Sequence, residues 1–242
     1  MNPRLLFTLL LVLALGPATA ARAQTAPSPA APVLTASLDP DAKRPTVVVA
    51  FGTRVTLTGA LKEADGTPLK GAEVALSSRA LVTGAVDQPA GTLTTDDDGT
   101  FAVPLPVGPS RRLTLTYRRA PADAQPAAVG KATLLVRAGV RLSATPRSLR
   151  NGQLLRLEVE LLGRPFPAAG KFVDLQVRRG GTWLNFASLR ARNGRLVYRY
   201  RFRNTRRTRT LLFRAQVPAF ETYPYVRGVS KASRVVVRPA HR

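Results

Sequence analysis

The chain of 242 residues has no cysteine, one histidine, one methionine and one tryptophan. Without cysteine there are no disulfides, no thiolate metal sites and no cysteine–histidine catalysis. The sole histidine, His241, is the penultimate residue, in PAHR. A serine–histidine–aspartate arrangement would need that ring fixed in a site, and a histidine zinc site lacks the other ligands. Acidic residues are also scarce, 14 against 37 lysines and arginines. No enzyme activity and no cofactor is expected. A second long apolar run is missing too, so no membrane span is expected beyond the N-terminal segment.

That segment reads MNPRLLFTLLLVLALGPATAARAQ. Arg4 precedes the apolar run from Leu5 to Leu15, and small residues follow. The pattern is that of an export signal over residues 1–23, with cleavage after Ala20 or Ala23. A secreted, periplasmic or cell-envelope protein is expected. QTAPSPAAPVLTA then places Pro27, Pro29 and Pro32 among alanines, which reads as a stiff spacer within residues 24–45.

From Thr46 the hydrophobic period is two. Val55, Leu57 and Leu61 alternate with Thr56 and Thr58, and Leu113, Leu115 and Tyr117 with Thr114 and Thr116. Turn pairs such as Asp65-Gly66, Lys70-Gly71 and Asp98-Gly99 separate the runs. The second half repeats the scheme in LLRLEVELL, with hairpins expected at Gly180-Gly181 and at Asn193-Gly194. The fold class expected is all-β: two tandem immunoglobulin-like antiparallel β-sandwiches, residues 46–138 and 139–238, with a tail at 239–242. About seven strands are expected in each. Only Ala138 and Gly139 separate the halves, so two closely joined sandwiches in a short rod are expected.

Charge divides unevenly. Residues 1–139 carry 14 basic and 10 acidic groups, and residues 140–242 carry 23 and 4. The densest stretch, RLVYRYRFRNTRRTRTLLFR, has eight arginines from Arg195 to Arg214. Leu196, Tyr198, Tyr200 and Phe202 alternate with arginines there, so it reads as a half-buried hairpin rather than a disordered tail. Glu158 and Glu160 are expected on the neighbouring strand, offsetting a fraction of the charge. The candidate polyanion contacts are Arg178, Arg179, Arg199, Arg201, Arg203, Arg206, Arg207, Arg209 and Arg214. An anionic cell-envelope polymer or polysaccharide fits them, a solvated basic face is the alternative, and no nucleic-acid motif accompanies them. Arginine outnumbers lysine 31 to 6, which a GC-rich genome would also produce.

Three further features carry chemistry. TTDDDGTF holds Asp96, Asp97 and Asp98, a tight turn rather than a calcium loop, because consecutive acids lack the alternate spacing. Trp183 follows the Gly180-Gly181 turn and suits either the core or a ligand platform. The loop holding Phe220, Tyr223, Tyr225 and Arg227 could stack a sugar or plug the end of a core.

The run VTLTGALKEADGTPLKGAEVALSS with GTLTTDDDGTFAVPLPVG resembles bacterial immunoglobulin-like and carboxypeptidase regulatory-like domains. Gly66, Pro68, Leu69, Gly71, Ala72 and Val74 fit the first motif, and Thr95, Asp96, Gly99 and Phe101 the second. The resemblance covers about residues 46–238. It implies spacer, adhesion or carbohydrate-binding modules and supplies no catalytic residues. An exported, non-enzymatic structural or adhesive protein attached to anionic polymer through its second domain is the reading. A carbohydrate-binding accessory using the 220–225 loop is the alternative.

Overall fold

Strands form where the alternation is strongest. In Leu154–Leu161 the side chains of Leu155, Leu157, Val159 and Leu161 are buried while Arg156 is exposed. In Val55–Lys62, Leu57 and Leu61 are fully buried. Gly59 between them leaves room for the Phe101 ring, since a Cβ there would lie 2.3 Å from Phe101 Cζ. The computed structural model describes residues 30–39, 41, 43–219 and 221–240. The expected signal peptide, His241 and Phe220 lie outside the described residues.

The first sandwich contains β1 (Val33–Ser37), β2 (Thr46–Val49), β3 (Val55–Lys62), β4 (Glu73–Ala80), β5 (Gln88–Thr94), β6 (Thr100–Leu105), β7 (Arg111–Tyr117) and β8 (Ala128–Val136). A three-stranded sheet, β1-β3-β6, faces a five-stranded sheet, β2-β8-β7-β4-β5. β1 corrects one expectation. It lies inside the stretch read as a spacer, pairs antiparallel with β3, and buries Leu34. Its residues follow Pro32 and precede Pro40, a proline-free run in which every backbone N–H is free to join a ladder.

The second sandwich contains β9 (Val140–Thr145), β10 (Ser148–Arg150), β11 (Leu154–Leu161), β12 (Lys171–Arg179), β13 (Thr182–Ala191), β14 (Arg195–Arg201), β15 (Arg209–Val217), β16 (Gly228–Val229) and β17 (Ser233–Arg238). Its sheets are β9-β11-β14 and β10-β17-β15-β12-β13, with β16 beside β15. Strand for strand this is the order of the first sandwich. In both, the short second strand pairs parallel with the last, β2 with β8 and β10 with β17. The described residues thus hold eight and nine strands where about seven each were expected.

Asn193 and Gly194 both take positive φ, 49° and 76°, and close a two-residue turn with reciprocal backbone bonds between Arg192 and Arg195. The strands then part. β13 pairs β12 in one sheet, and β14 pairs β11 in the other. β15 returns to the first of these sheets. The Arg195–Arg214 stretch is therefore no hairpin but an edge strand and a central strand on opposite sheets. Turn chemistry fixes the reversal, and pairing beyond it depends on which sheet buries the next apolar row.

Ala31–Arg242 forms one compact unit, and the two sandwiches meet in it through backbone. Val226 N donates to Val136 O and Ala138 N to Val226 O, each at 2.9 Å. Ser110 N donates to Pro224 O at 2.8 Å. The chain before β16 thus adds to the end of the larger sheet of the first sandwich, beside the end of β8 and the start of β7.

Candidate functional site

The aromatic loop belongs to this junction. Tyr223 and Tyr225 are 1% and 5% exposed. Their hydroxyls donate to Gly163 O at 3.0 Å and Arg164 O at 2.9 Å. The rings pack 4.8 Å apart, and Tyr225 also meets Phe51 of the first sandwich at 6.0 Å. Gly163 permits the approach, since a Cβ there would sit 2.4 Å from Tyr225 Cζ. Burial raises the pKa of both phenols. Neither ring is open to a sugar; of the two roles the sequence allowed them, both take the one that plugs the end of the core. Arg227, at the end of the loop, is exposed and donates to Gln216 Oε1 at 2.5 Å.

Register places the arginines. On β14, Arg195 lies opposite Glu160, Arg199 opposite Arg156, and Arg201 opposite Leu154. Glu160 binds Arg141 at 3.0 Å and Arg195 at 3.8 Å, and Glu158 binds Arg156. The expected neighbouring strand is correct, but Arg199 and Arg201 have no glutamate opposite them. Among the described residues none of the nine candidate arginines is in an ion pair, and all but the half-buried Arg214 are exposed.

Most of them gather at one end. β11 runs from Leu154 toward the junction at Gly163, so Glu158 and Glu160 lie near the junction and Arg201 at the far end. β12 runs outward from Lys171 to Arg179, and β15 returns inward from Arg209. Arg178, Arg179, Arg201, Arg203, Arg206, Arg207 and Arg209 therefore share the end of the second sandwich remote from the first. Asn151 ties the 202–208 loop to that end, with Nδ2 donating to Thr205 O at 2.8 Å. Asp174 sits midway along β12 and Glu221 in the junction loop, so no acidic residue reaches the tip.

Trp183 takes neither of its expected places alone. It pairs with Arg178 on the outer face of the larger sheet and is partly exposed. The Arg214 guanidinium lies 4.2 Å from its ring centroid. Arg214 Nε donates to Gln176 Oε1 at 2.6 Å, and Gln176 Nε2 donates to Asn185 Oδ1 at 2.6 Å. Burial and the neighbouring charge of Arg227 lower the Arg214 pKa. This row was not assembled from sequence, although alternation around Trp183 and Gln176 put both on one face.

The acidic turn does local work. Asp96 accepts from Thr100 Oγ1 on Oδ2 at 2.6 Å and from Thr100 N and Asp98 N on Oδ1 at 2.7 and 3.1 Å, and these bonds, the Thr100 hydroxyl first, lower its pKa. Among the described residues, no group of three or more histidines or acids is placed to hold a metal ion. None contributes a helix long and apolar enough to cross a membrane.

No family model matches the chain, so the carboxypeptidase regulatory-like resemblance gains no support. No curated protein matches either. Solved structures do. The D0–D1 domain of intimin is 14% identical over 84% of this chain and 96% of its own, with TM-score 0.29. The Escherichia coli adhesin FdeC is 17% identical over 88% and 65%, with TM-score 0.38. Escherichia coli alpha-2-macroglobulin is 14% identical over 80% of this chain, with TM-score 0.33, and the chain spans 16% of its length. At such scores the likeness carries no functional argument, and the two-sandwich architecture rests on the strand order above.

Proposed function

We propose that this is an exported, non-enzymatic β-sandwich protein that attaches to anionic polymer of the cell envelope or its surroundings through the tip of its second sandwich. One observation carries the reading: arginines from β12, β14, β15 and the 202–208 loop converge at the end remote from the junction, and no acidic side chain among the described residues joins them. Like charges held together cost self-repulsion, which a polyanion relieves while counterions leave it. The second sandwich, joined to β8 through Ala138-Gly139, holds that tip away from the first.

Retention on polygalacturonate and dextran sulfate beads, followed across rising salt, tests this. Binding should fall steeply with salt. Replacing Arg203, Arg206, Arg207 and Arg209 by Gln should shift release to markedly lower salt. Salt-independent retention, or the same release profile in the variant, would remove the tip as the attachment surface. The sugar-stacking loop has no observation in its favour, because its two described tyrosines are buried.

A further inference from the structure

The sheet face beside the tip is built for more than net charge. Asn185, Gln176 and Arg214 stand in a row across β13, β12 and β15, with Gln216 diagonal to Gln176 on the same face. Gln176 Nε2 reaches Asn185 Oδ1 at 2.6 Å and Gln216 Oε1 at 3.5 Å, while Arg227 Nη2 also donates to Gln216 Oε1. Gln176 is 6% exposed, so its amide is fixed by these bonds. Its Oε1 holds Arg214 by Nε, and Trp183 holds the flat of the same guanidinium. Among the described residues, neither Arg214 Nη nitrogen has a protein acceptor. The nearest acid on the face, Asp174, is opposite Gln216 and already accepts from Ser188 Oγ.

A guanidinium clamped on two sides loses little entropy when its remaining fork binds an anion. The neighbouring amides suit hydroxyl groups, and a half-exposed indole suits the apolar face of a ring. Arg227 adds a second positive charge within reach of the same amides.

Resting on the tip reading above, we infer that Trp183, Arg214, Asn185 and Arg227 form a subsite for an acidic sugar, its carboxylate on the Arg214 Nη pair and its hydroxyls on the Asn185 amide. The tip supplies salt-dependent attraction, and this face selects a uronic-acid unit within the polymer. A carboxylate presents two coplanar oxygens to the planar fork, whereas a lysine would offer a single charge.

The protein carries its own reporter, since Trp183 is its sole tryptophan. Tetragalacturonate should change its fluorescence saturably, and neutral maltotetraose should not. Arg214→Lys and Asn185→Ala should each weaken tetragalacturonate by about tenfold or more, the order expected for a lost hydrogen bond to a charged group. Both should leave retention on dextran sulfate within about twofold. Each removes a hydrogen bond from the buried Gln176 amide, so the unfolding midpoint should drop while unfolding stays cooperative. Equal losses on the sulfated polymer, or no saturable change with tetragalacturonate, would overturn the subsite. If salt-sensitive retention on anionic beads persists in that case, only the subsite falls. If no anionic polymer is retained at all, the tip reading falls with it.

Discussion

The two sandwiches share a frame and differ in what they show to solvent. On the smaller sheet of the first, neighbouring outward residues run Thr35, Ala60, Thr100 and then Ser37, Thr58, Ala102. On the corresponding sheet of the second they run Arg141, Glu160, Arg195, then Ser143, Glu158, Val197, then Thr145, Arg156, Arg199. Inward positions match in kind: Leu57 and Leu61 on β3, and Leu155, Leu157 and Val159 on β11, are all buried. Short β-branched and small side chains pair across strands at low entropic cost, so the first face needs no charge to be stable. Nothing in the shared strand order calls for the arginines of the second. They are a property of that surface, and the frame tolerates either composition because outward and inward sets are separated by the pleat.

If the frames are equivalent, equivalent core losses should cost alike. Leu57→Ala and Leu157→Ala each empty a buried site on the central strand of a three-stranded sheet. Each should cost about 2–5 kcal/mol. Denaturant unfolding of the two variants checks this, and a loss confined to one of them would break the comparison.

The second sandwich alone contains a buried lysine. Lys171 is 3% exposed, with Nζ 5.8 Å from the Tyr223 ring centroid. Burial lowers its pKa to about 8 despite the opposing charge of Asp174. The unfolded chain keeps the proton up to the ordinary lysine range while the folded chain sheds it near pH 8. Between these values the unfolded state binds more protons, so stability should rise with pH, by up to about 3 kcal/mol. Tyr223 and Tyr225 act oppositely. Their raised pKa values keep them protonated in the folded state, so stability should fall once pH passes the ordinary tyrosine value. Lys171→Met should abolish the rise and leave the fall. Thermal unfolding from pH 7 to 11 reads both limbs, and a flat profile in the parent protein would remove Lys171 from the account.

How far these differences could be read without coordinates depends on range. Alternation gave the strands, because each inward row is written locally in residues such as Leu155, Leu157 and Val159. The Asn193-Gly194 turn was legible for the same reason. Its consequence was not: whether β14 stays with β13 or crosses to β11 depends on pairing with residues more than thirty positions away. The arginines were visible as a cluster, but their gathering at one end follows from three antiparallel registers together. The sequence left the tyrosines open between stacking a sugar and plugging a core, because nothing near them in sequence names Gly163, Arg164 and Phe51 as their partners. Gly163 and Gly139, each pressed against one of these rings, and Gly228, pressed against Ala138, mark the junction, and a glycine has many other uses.

The smallest expected effect bears most directly on what the charge is for. Arg206 and Arg207 are exposed, lie in the loop joining β14 to β15, and form no ion pair. An exposed residue with no packed or paired partner changes stability little when replaced, within about 0.5 kcal/mol. Relief of repulsion among the remaining tip arginines favours a slight gain at low salt, which screening should erase. Arg206→Gln with Arg207→Gln should therefore unfold at the parent temperature in high salt and at the same or a slightly higher one in low salt. A clear loss of stability would mean that the arginines brace the loop, and the contrast between the sandwiches would then be structural. An unchanged midpoint, beside release from anionic beads at lower salt, would separate the frame from its surface: the first sandwich and the second fold by the same inward pattern, and the tip charge serves attachment.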